Sequence, residues 1–203
     1  MYKGSAITVQ LLDGDIAEVN FDLQGESINK FNSLTIKELE EALEVIEKSD
    51  KIKGVLLTSS KSVFLVGADI NEFVPLFGKS GGDASASHLS KNLDNFNRLE
   101  DLSVPTVIAI NGYAMGGGLE LALACDYRVM STLAKIGLPE TKLGIIPGWG
   151  GTVRLPRVAG ADTAIEWIAS GAEQRPDVAL KTGVVDGVVE PDQLRDSALS
   201  LLQ

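Results

Sequence analysis

Three successive glycines, Gly116, Gly117 and Gly118, stand just before Glu120 in the stretch INGYAMGGGLELALACD (residues 110–126). Glycines at a helix start let a ligand approach backbone N–H groups, behind which lies the positive end of the helix dipole. The stretch is not a phosphate-binding P-loop, since no Lys-Ser or Lys-Thr pair follows the glycines, and its spacing does not match a dinucleotide-binding fingerprint. Two interpretations remain: N–H groups presented to a partly negative oxygen, or close packing of a helix on a strand.

A second candidate backbone donor lies at Gly67-Ala68-Asp69, which follows the apolar run VFLV. This segment would lie at the C-terminal edge of a strand, where open α/β sheets bind ligands, and there the Ala68 N–H could be free. Combined with a donor from the glycine-rich turn, it could form an oxyanion hole, in which each donor stabilises a transition state by about 3–4 kcal/mol. An ordinary β-turn is the alternative interpretation.

Two glutamates are candidates for acid–base chemistry. Glu120 has only Leu and Ala around it in its predicted helix, and Glu140 lies in GLPETKLG, where the other charged residue is Lys142. A buried carboxylate needs hydrogen-bond partners or a raised pKa, and two carboxylates that converge from separate segments are typical of general acid–base sites. The alternatives are a half-exposed residue favoured by the helix dipole for Glu120 and a solvated loop charge for Glu140.

Other reactive side chains give weaker signals. His88, the single histidine, is predicted to lie on the surface, and Cys125 in the core. Arg154 and Arg157 are expected to bind carbonyl groups or acidic neighbours rather than to take part in catalysis. No serine stands in a nucleophile-elbow context, and no spacing of His, Cys and Asp predicts a metal site.

Composition narrows the class of protein. The 203 residues include 18 basic and 28 acidic side chains, for a net charge of −10, which argues against nucleic-acid binding and against a basic membrane surface. A single cysteine cannot form an internal disulfide, which suits a reducing compartment. No apolar run approaches the roughly 20 residues that span a bilayer. A cytoplasmic enzyme or binding module is therefore expected.

Alternating strand and helix patterns predict one α/β domain with a largely parallel sheet. A hairpin is expected around Asp13-Gly14-Asp15, followed by a helix that Ser33 or Thr35 caps and that buries Leu39, Leu43 and Ile46. Buried strands are predicted at IKGVLLTSS, VPTVIAI and DYRVMS, a flexible loop at GKSGGDASAS and a long loop at KIGLPETKLGIIPGWGG. Further helices are predicted near 151–158, near 161–170 and from Pro191.

Three segments, in this order and spacing, resemble the crotonase (enoyl-CoA hydratase/isomerase) superfamily: VFLVGADI, NGYAMGGGLELALACDYRV and IGLPETKLGIIPGWGGTVRLPR. The resemblance covers essentially the whole chain. It implies the ClpP/crotonase-like α/β fold of repeated ββα units, in which the N–H groups of Ala68 and Gly117 hold an acyl-CoA thioester oxygen. The two catalytic carboxylates of the superfamily match Glu120 and Glu140.

The same resemblance implies contacts with coenzyme A. Asp69 and Ile70 match the segment whose backbone contacts the CoA adenine region. Lys30 lies in SINKFN, where simple hydratases commonly have Asn-Ala-Leu in place of Asn29-Lys30-Phe31. From this position Lys30 could reach a CoA phosphate.

Because both glutamates are present, the resemblance implies an enoyl-CoA hydratase of β-oxidation, with Δ3–Δ2 isomerisation as a side activity. SINKFN and GLPETKLGIIPGWGGTVRLPR are most similar to the hydratase part of multifunctional β-oxidation enzymes. Hydration needs no cofactor, and NAD would belong to a dehydrogenase part outside this chain. The expected partners are an acyl-CoA substrate and either further copies of the chain or, in a full-length protein, a thiolase β subunit.

Hydratases continue beyond the end of this sequence into helices that cover the acyl pocket. The expected organisation is thus a hydratase core over residues 1–190 and the truncated start of a C-terminal helical region over 191–203. A catalytically silent acyl-CoA-binding or assembly module is the alternative function of the isolated chain.

Overall fold

The computed structural model describes residues 1–72 and 81–203, and over residues 81–89 it describes the backbone alone. Within these ranges the strands are β1 (Tyr2–Lys3), β2 (Ile7–Leu12), β3 (Ile16–Phe21), β4 (Gly54–Ser59), β5 (Thr106–Ile110), β6 (Tyr113–Met115), β7 (Tyr127–Ser131), β8 (Lys135–Gly137) and β9 (Gly187–Val189). The helices are α1 (Ser33–Glu47), α2 (Gly81–Glu100), α3 (Gly117–Leu123), α4 (Gly151–Ala159), α5 (Ala161–Ser170), α6 (Pro176–Lys181) and α7 (Leu194–Ser200). Single 3₁₀ turns cover Pro139–Leu143 and Pro191–Gln193.

The larger sheet has the strand order β1-β2-β3-β4-β5-β7-β9, and β6 pairs with β8 in a smaller parallel sheet. Strands β3, β4, β5, β7 and β9 run parallel, whereas β1, β2 and β3 form antiparallel pairs. Parallel neighbours require crossover connections, which the helices provide. The predicted α/β class and largely parallel sheet are confirmed.

The hairpin between β2 and β3 forms around the predicted turn. Leu12 pairs with Ile16, so Asp13, Gly14 and Asp15 make up the loop. Gly14 and Asp15 both have positive φ, 80° and 62°, a conformation that glycine and aspartate tolerate better than other residues. The turn chemistry of the sequence therefore fixes the register of the first two long strands.

Clusters of buried apolar residues lie on both faces of the larger sheet. Helix α1 packs its predicted stripe, Leu39, Leu43 and Ile46, into the main core. On the opposite face, Leu194 and Ala198 of α7 pack in a smaller apolar cluster with strand residues such as Leu56 and Val107. Residues 191–203 thus cover the sheet that the preceding residues build, and the proposed domain division at residue 190 stays a prediction.

The N-terminal cap of α1 differs from the prediction. The side chain of Asn32, rather than that of Ser33 or Thr35, accepts a hydrogen bond from the Thr35 N–H at 2.8 Å. Asn32 has the extended backbone of a cap residue (φ −100°, ψ 177°), whereas Ser33 is already helical. An asparagine oxygen placed before the first turn reaches the third N–H, which explains why Asn32 is the cap.

Replacing Asn32 by Ala should lower the free energy of unfolding by about 1 kcal/mol, because a helix N–H loses its acceptor. Urea titration followed by circular dichroism measures this. Ser33→Ala is the matched control, since the Ser33 hydroxyl donates instead to the exposed Glu72 carboxylate. Equal losses in the two variants would contradict the assignment of the cap.

Several elements depart from the predictions. Residues 78–80 of the predicted loop GKSGGDASAS lie outside the described residues, but residues 81–87 belong to helix α2. The composition opposes a helix only weakly there, since Ser and Asp each cost a helix about 0.7 kcal/mol or less relative to Ala. The predicted long loop contains β8 and a 3₁₀ turn, and β9 and α6 were not predicted. These short elements have too few residues to show a clear hydrophobic period.

Candidate active site

Three segments enclose a cavity of about 560 Å³. The first follows the apolar run VFLV, the second is the start of α3, and the third combines the 3₁₀ turn with the loop that leads to α4. The cavity wall is mostly apolar, and its lining residues are Val66, Gly67, Ala68, Ile70, Gly116, Gly117, Glu120, Pro139, Glu140, Leu143, Ile145, Ile146, Pro147, Gly148 and Trp149. Both candidate glutamates and both candidate backbone donors therefore meet in one place.

Each of the three glycines at the start of α3 has its own steric reason to be glycine. Gly116 has a positive φ of 55°, and a Cβ there would lie 3.1 Å from Glu140 Oε1. A Cβ on Gly117 would overlap the Trp149 ring, and one on Gly118 would overlap the Leu65 carbonyl oxygen. Of the interpretations left open by the sequence, close packing therefore applies to Gly118, and Gly116 and Gly117 let side chains approach the helix start.

The two candidate backbone donors lie next to each other. Gly67 has φ 81°, and a Cβ on it would lie 3.3 Å from the Gly117 nitrogen. The neighbouring N–H of Asp69 donates to Phe31 O at 2.9 Å and that of Gly116 to Gly137 O at 2.9 Å. Among the described residues, no protein acceptor faces the N–H of Ala68 or of Gly117. Instead of the predicted strand, isolated bridges Leu65–Ala114 and Phe31–Ala68 hold the first segment.

Glu120 is buried, as its apolar neighbours predict, with 2% of its surface exposed. Its Oε1 accepts two hydrogen bonds of 2.8 Å, from the N–H groups of Trp149 and Gly151. Burial raises the pKa of Glu120 to about 7, and the charge of Glu140 adds to the rise, while the two N–H groups and Arg154 oppose it. Near neutral pH this carboxyl group can therefore accept or release a proton.

Glu140 lies in the 3₁₀ turn Pro139–Leu143 and is half-buried. Its Oε1 lies against Gly116, and its Oε2 is buried without a hydrogen-bond partner among the described residues. Burial raises the pKa of Glu140 above its ordinary value, which favours the protonated form. The site thus holds two carboxyl groups, one fixed by backbone donors and one open to a ligand.

The pKa of Glu120 predicts a pH-dependent stability. Because the folded-state pKa is about 7 and the ordinary value is 4.5, the folded chain binds an additional proton between these values. Binding this proton contributes to the free energy of unfolding. The contribution is complete below the unfolded pKa of 4.5 and is lost as the pH rises through the folded pKa of about 7. Glu120→Gln should remove it, so the stability change from pH 5 to pH 8 should differ from that of the wild type by about 2–3 kcal/mol.

Urea unfolding at the two pH values measures the difference, and Glu166→Gln, at an exposed glutamate of α5, is the control. An identical pH dependence in the wild type and in Glu120→Gln would show that Glu120 titrates near its ordinary value.

The predicted CoA contacts are Lys30, Asp69 and Ile70. Ile70 lines the cavity and is 54% exposed. Lys30 Nζ lies 2.9 Å from Asp69 Oδ2 and 3.2 Å from Glu26 Oε1, so it is paired with two carboxylates. The hydrogen bond between Lys30 and Asp69 raises the pKa of Lys30 and lowers that of Asp69. Neither Lys30 nor Asp69 lines the cavity itself, and their contacts with CoA remain predictions.

The other candidate residues are placed as follows. Cys125 is buried in the core, as predicted, and burial raises its thiol pKa to about 12. Arg154 binds the Trp149 carbonyl and the Glu100 carboxylate, as expected, and Arg157 is exposed. His88 lies outside the residues whose side chains are described. Among the described residues there is no cluster of His, Cys, Asp and Glu that could hold a metal ion, and no helix long and apolar enough to cross a membrane.

Sequence reasoning missed the residues that hold Glu120 in place. Trp149 and Gly151 supply the two N–H donors, and Gly150, with φ 105°, allows the turn between them. A Cβ on Gly151 would lie 3.1 Å from both Cγ and Oε1 of Glu120. The signal was the run PGWGG, whose glycines indicate a close approach of backbone, although not to which group.

Comparison with known proteins agrees with this geometry. The model of the enoyl-CoA hydratase/isomerase family matches residues 13–203. The chain belongs to this family. The resemblance to the crotonase superfamily is thereby confirmed, and the chain is a domain of an enzyme family.

Two curated relatives are more than half identical to this chain in sequence. A fatty acid oxidation complex subunit alpha from Pseudomonas syringae pv. tomato is 56% identical over 203 residues, which is the whole chain and 28% of that protein. The corresponding subunit from Pseudomonas aeruginosa is 58% identical over 201 residues, covering 99% of the chain and 28% of the relative. The chain thus spans 28% of the length of these curated relatives.

A solved structure confirms the crotonase fold. The crystal structure of an enoyl-CoA hydratase from Bacillus anthracis superposes with a TM-score of 0.89 at 32% identity, covering 97% of this chain and 75% of that one. The predicted α/β crotonase fold is therefore correct.

Proposed function

We propose that the chain is an enoyl-CoA hydratase domain, which adds water across the double bond of a trans-2-enoyl-CoA to give a 3-hydroxyacyl-CoA. The observation that carries the proposal is the meeting of Glu120, Glu140 and the N–H groups of Ala68 and Gly117 in one largely apolar cavity. Hydratases of the family and the fatty acid oxidation alpha subunits support it by their similarity.

In this proposal the thioester carbonyl oxygen accepts hydrogen bonds from the N–H groups of Ala68 and Gly117. Attack on the β-carbon moves electron density onto that oxygen and produces an enolate-like intermediate. Two backbone donors and the N-terminal end of α3 stabilise the developing charge, and each donor contributes about 3–4 kcal/mol to the transition state. The donors act without reorganising, since both belong to backbone that the glycine contacts hold in place.

The two carboxyl groups divide the proton transfers. Ionised Glu120 takes a proton from water as the water oxygen bonds to the β-carbon, and protonated Glu140 donates a proton to the α-carbon. Burial raises the pKa of Glu120 to about 7, which suits a base near neutral pH, and burial raises the pKa of Glu140 in the direction that favours the protonated acid. After product release, exchange with solvent restores the starting protonation states.

Isomerisation of 3-enoyl-CoA to 2-enoyl-CoA is proposed as a side activity at the same site. It moves a proton from the α-carbon to the γ-carbon, and a carboxyl group next to the same enolate can carry it. The family description includes both reactions.

The test measures turnover and binding separately. The chain is mixed with trans-2-enoyl-CoA and with 3-enoyl-CoA, while absorbance of the conjugated thioester reports the reaction and calorimetry reports binding. Hydration removes the absorbance of the 2-enoyl thioester, and isomerisation of the 3-enoyl substrate creates it. A loss from 2-enoyl-CoA that is much faster than the gain from 3-enoyl-CoA supports a hydratase. The reverse order would make the domain mainly an isomerase, and binding of both thioesters without reaction would make it a silent acyl-CoA-binding module.

The wider assignments belong to the same proposal. We propose that the domain needs no cofactor, since hydration leaves the oxidation level of the substrate unchanged, and that it acts in the cytoplasm within a multifunctional β-oxidation enzyme. A homo-oligomer or a complex with a thiolase β subunit is the expected assembly, by likeness to the alpha subunits of fatty acid oxidation complexes. Light scattering measures the molar mass of the chain alone and of the chain mixed with a thiolase β subunit, and so separates the two assemblies.

A further inference from the structure

A buried arginine lies directly behind the site. Arg154 of α4 is only 4% exposed. Its guanidinium donates to the Glu100 carboxylate at 2.6 and 2.9 Å and to Asn97 Oδ1 at 2.8 Å, both on α2. Burying a cation is costly unless its donors are satisfied, and here α2 supplies a carboxylate and an amide oxygen. Arg154 does not line the cavity.

A third contact connects this arginine to the turn Trp149–Gly151, which holds Glu120. Arg154 Nη1 donates to the Trp149 carbonyl oxygen at 3.1 Å, and the guanidinium lies against Gly150. The N–H groups of Trp149 and Gly151, on either side of Gly150, both point at Glu120 Oε1. The turn is therefore held on one side by Arg154 and on the other by Glu120.

The geometry points to a further positioning residue. We propose that Arg154 acts through the Trp149–Gly151 turn: it fixes the peptide that holds Glu120 Oε1, and it supplies the buried positive charge that compensates ionised Glu120. This inference rests on the proposed function for its kinetic meaning, since Arg154 itself touches no substrate. Its planar fork is required because one side chain must reach Glu100, Asn97 and the Trp149 carbonyl together.

Two charged groups act on Glu120, and a third lies behind one of them. Glu140 faces it from the 3₁₀ turn and opposes its ionisation, whereas Arg154 of α4 favours it. Helix α3 carries no other ionisable residue than Glu120. Behind Arg154, the Glu100 carboxylate neutralises part of the arginine charge. Changes at Arg154 and at Glu100 should therefore move the titration of Glu120 in opposite directions.

The test first measures the titration of Glu120 without using turnover. In the chain labelled with ¹³C-glutamate, the Glu120 carboxyl resonance is assigned by its loss in Glu120→Gln and is followed against pH. Arg154→Met should raise the midpoint by about 1 unit, and Glu100→Gln should lower it by a smaller amount. Arg154→Lys keeps the charge and should leave the midpoint closer to that of the wild type than Arg154→Met does. Arg157→Met, on the exposed face of the same helix, is the matched control and should leave the midpoint unchanged.

The same variants are then assayed for hydration across pH. Compared with the wild type at the same pH, Arg154→Met should have a kcat about fivefold lower at pH 7 and nearly equal at pH 9, because Glu120 is largely ionised in both proteins at the higher pH. A lowered kcat with the same pH profile and the same titration midpoint would overturn the proposal and leave a purely structural role. If Arg154→Met does not fold, Glu100→Gln decides: a lowered Glu120 midpoint supports the proposal, and an unchanged or raised midpoint overturns it. A wild type without hydratase activity would contradict the proposed function, yet the titration would still test the role of Arg154.

Discussion

Glu120→Gln and Glu140→Gln should each lower kcat for hydration of a trans-2-enoyl-CoA by about 10²–10⁴-fold. Each change removes one proton transfer and keeps the shape of the side chain. In Glu120→Gln the amide oxygen can still accept the two N–H groups of Trp149 and Gly151, so the site stays folded. Substrate binding should change little, because the thioester oxygen is held by backbone donors that neither substitution touches.

Stopped-flow absorbance and calorimetry with a CoA thioester measure the two effects separately, and Glu166→Gln, at an exposed glutamate, should leave both unchanged. Turnover within threefold of the wild type in either site variant would contradict the assigned roles. A loss of binding equal to the loss of rate would instead show that the glutamates hold substrate rather than transfer protons.

The second large effect is expected from Gly118→Ala. A Cβ at this position would overlap the carbonyl oxygen of Leu65, and backbone cannot rotate away as a side chain can. Overpacking of this kind costs about 1–3 kcal/mol or more. Because the contact joins the start of α3 to the segment that leads to Ala68, the variant should also lose the alignment of the two backbone donors and with it most hydratase activity.

Urea unfolding measures the loss of stability, and the hydration assay measures the loss of alignment in whatever fraction remains folded. Gly187→Ala is the matched control, because a Cβ there would meet its nearest neighbour, Val129 Cγ1, at an ordinary 3.8 Å. If Gly118→Ala were as stable and as active as Gly187→Ala, the close approach of α3 to Leu65 would not be a requirement of the site.

Local patterns predicted much of the fold. The helices α4 and α5 lie within one residue of the expected bounds, because their apolar spacing and flanking glycines are read from neighbouring residues. The burial of Glu120 was likewise indicated by the Leu and Ala residues on both sides of it. For the cap of α1, several cap-forming residues stand together, and only the backbone conformation of Asn32 decides which of them acts.

What the sequence could not give are contacts between distant residues. The N–H groups of Trp149 and Gly151 reach Glu120 across 29 and 31 residues. Arg154 was expected to bind a carbonyl or an acidic group, but the pattern could not tell that the carbonyl is that of Trp149. Likewise, a spacing cannot show that Glu140 comes to lie against Gly116, since this depends on how the 3₁₀ turn packs on α3. The resemblance to a family, rather than the pattern of residues, linked the two glutamates.

The proposed chemistry predicts where the atoms of water go. The chain is incubated with a short trans-2-enoyl-CoA in oxygen-labelled water and, separately, in heavy water, and the product is identified by mass spectrometry and NMR. We expect 3-hydroxyacyl-CoA with the labelled oxygen on the β-carbon and one solvent deuterium on the α-carbon, with neither formed by Glu120→Gln or Glu140→Gln at a comparable rate. Recovery of unlabelled 2-enoyl-CoA from a chain that is saturated with it would contradict the assignment of a hydratase.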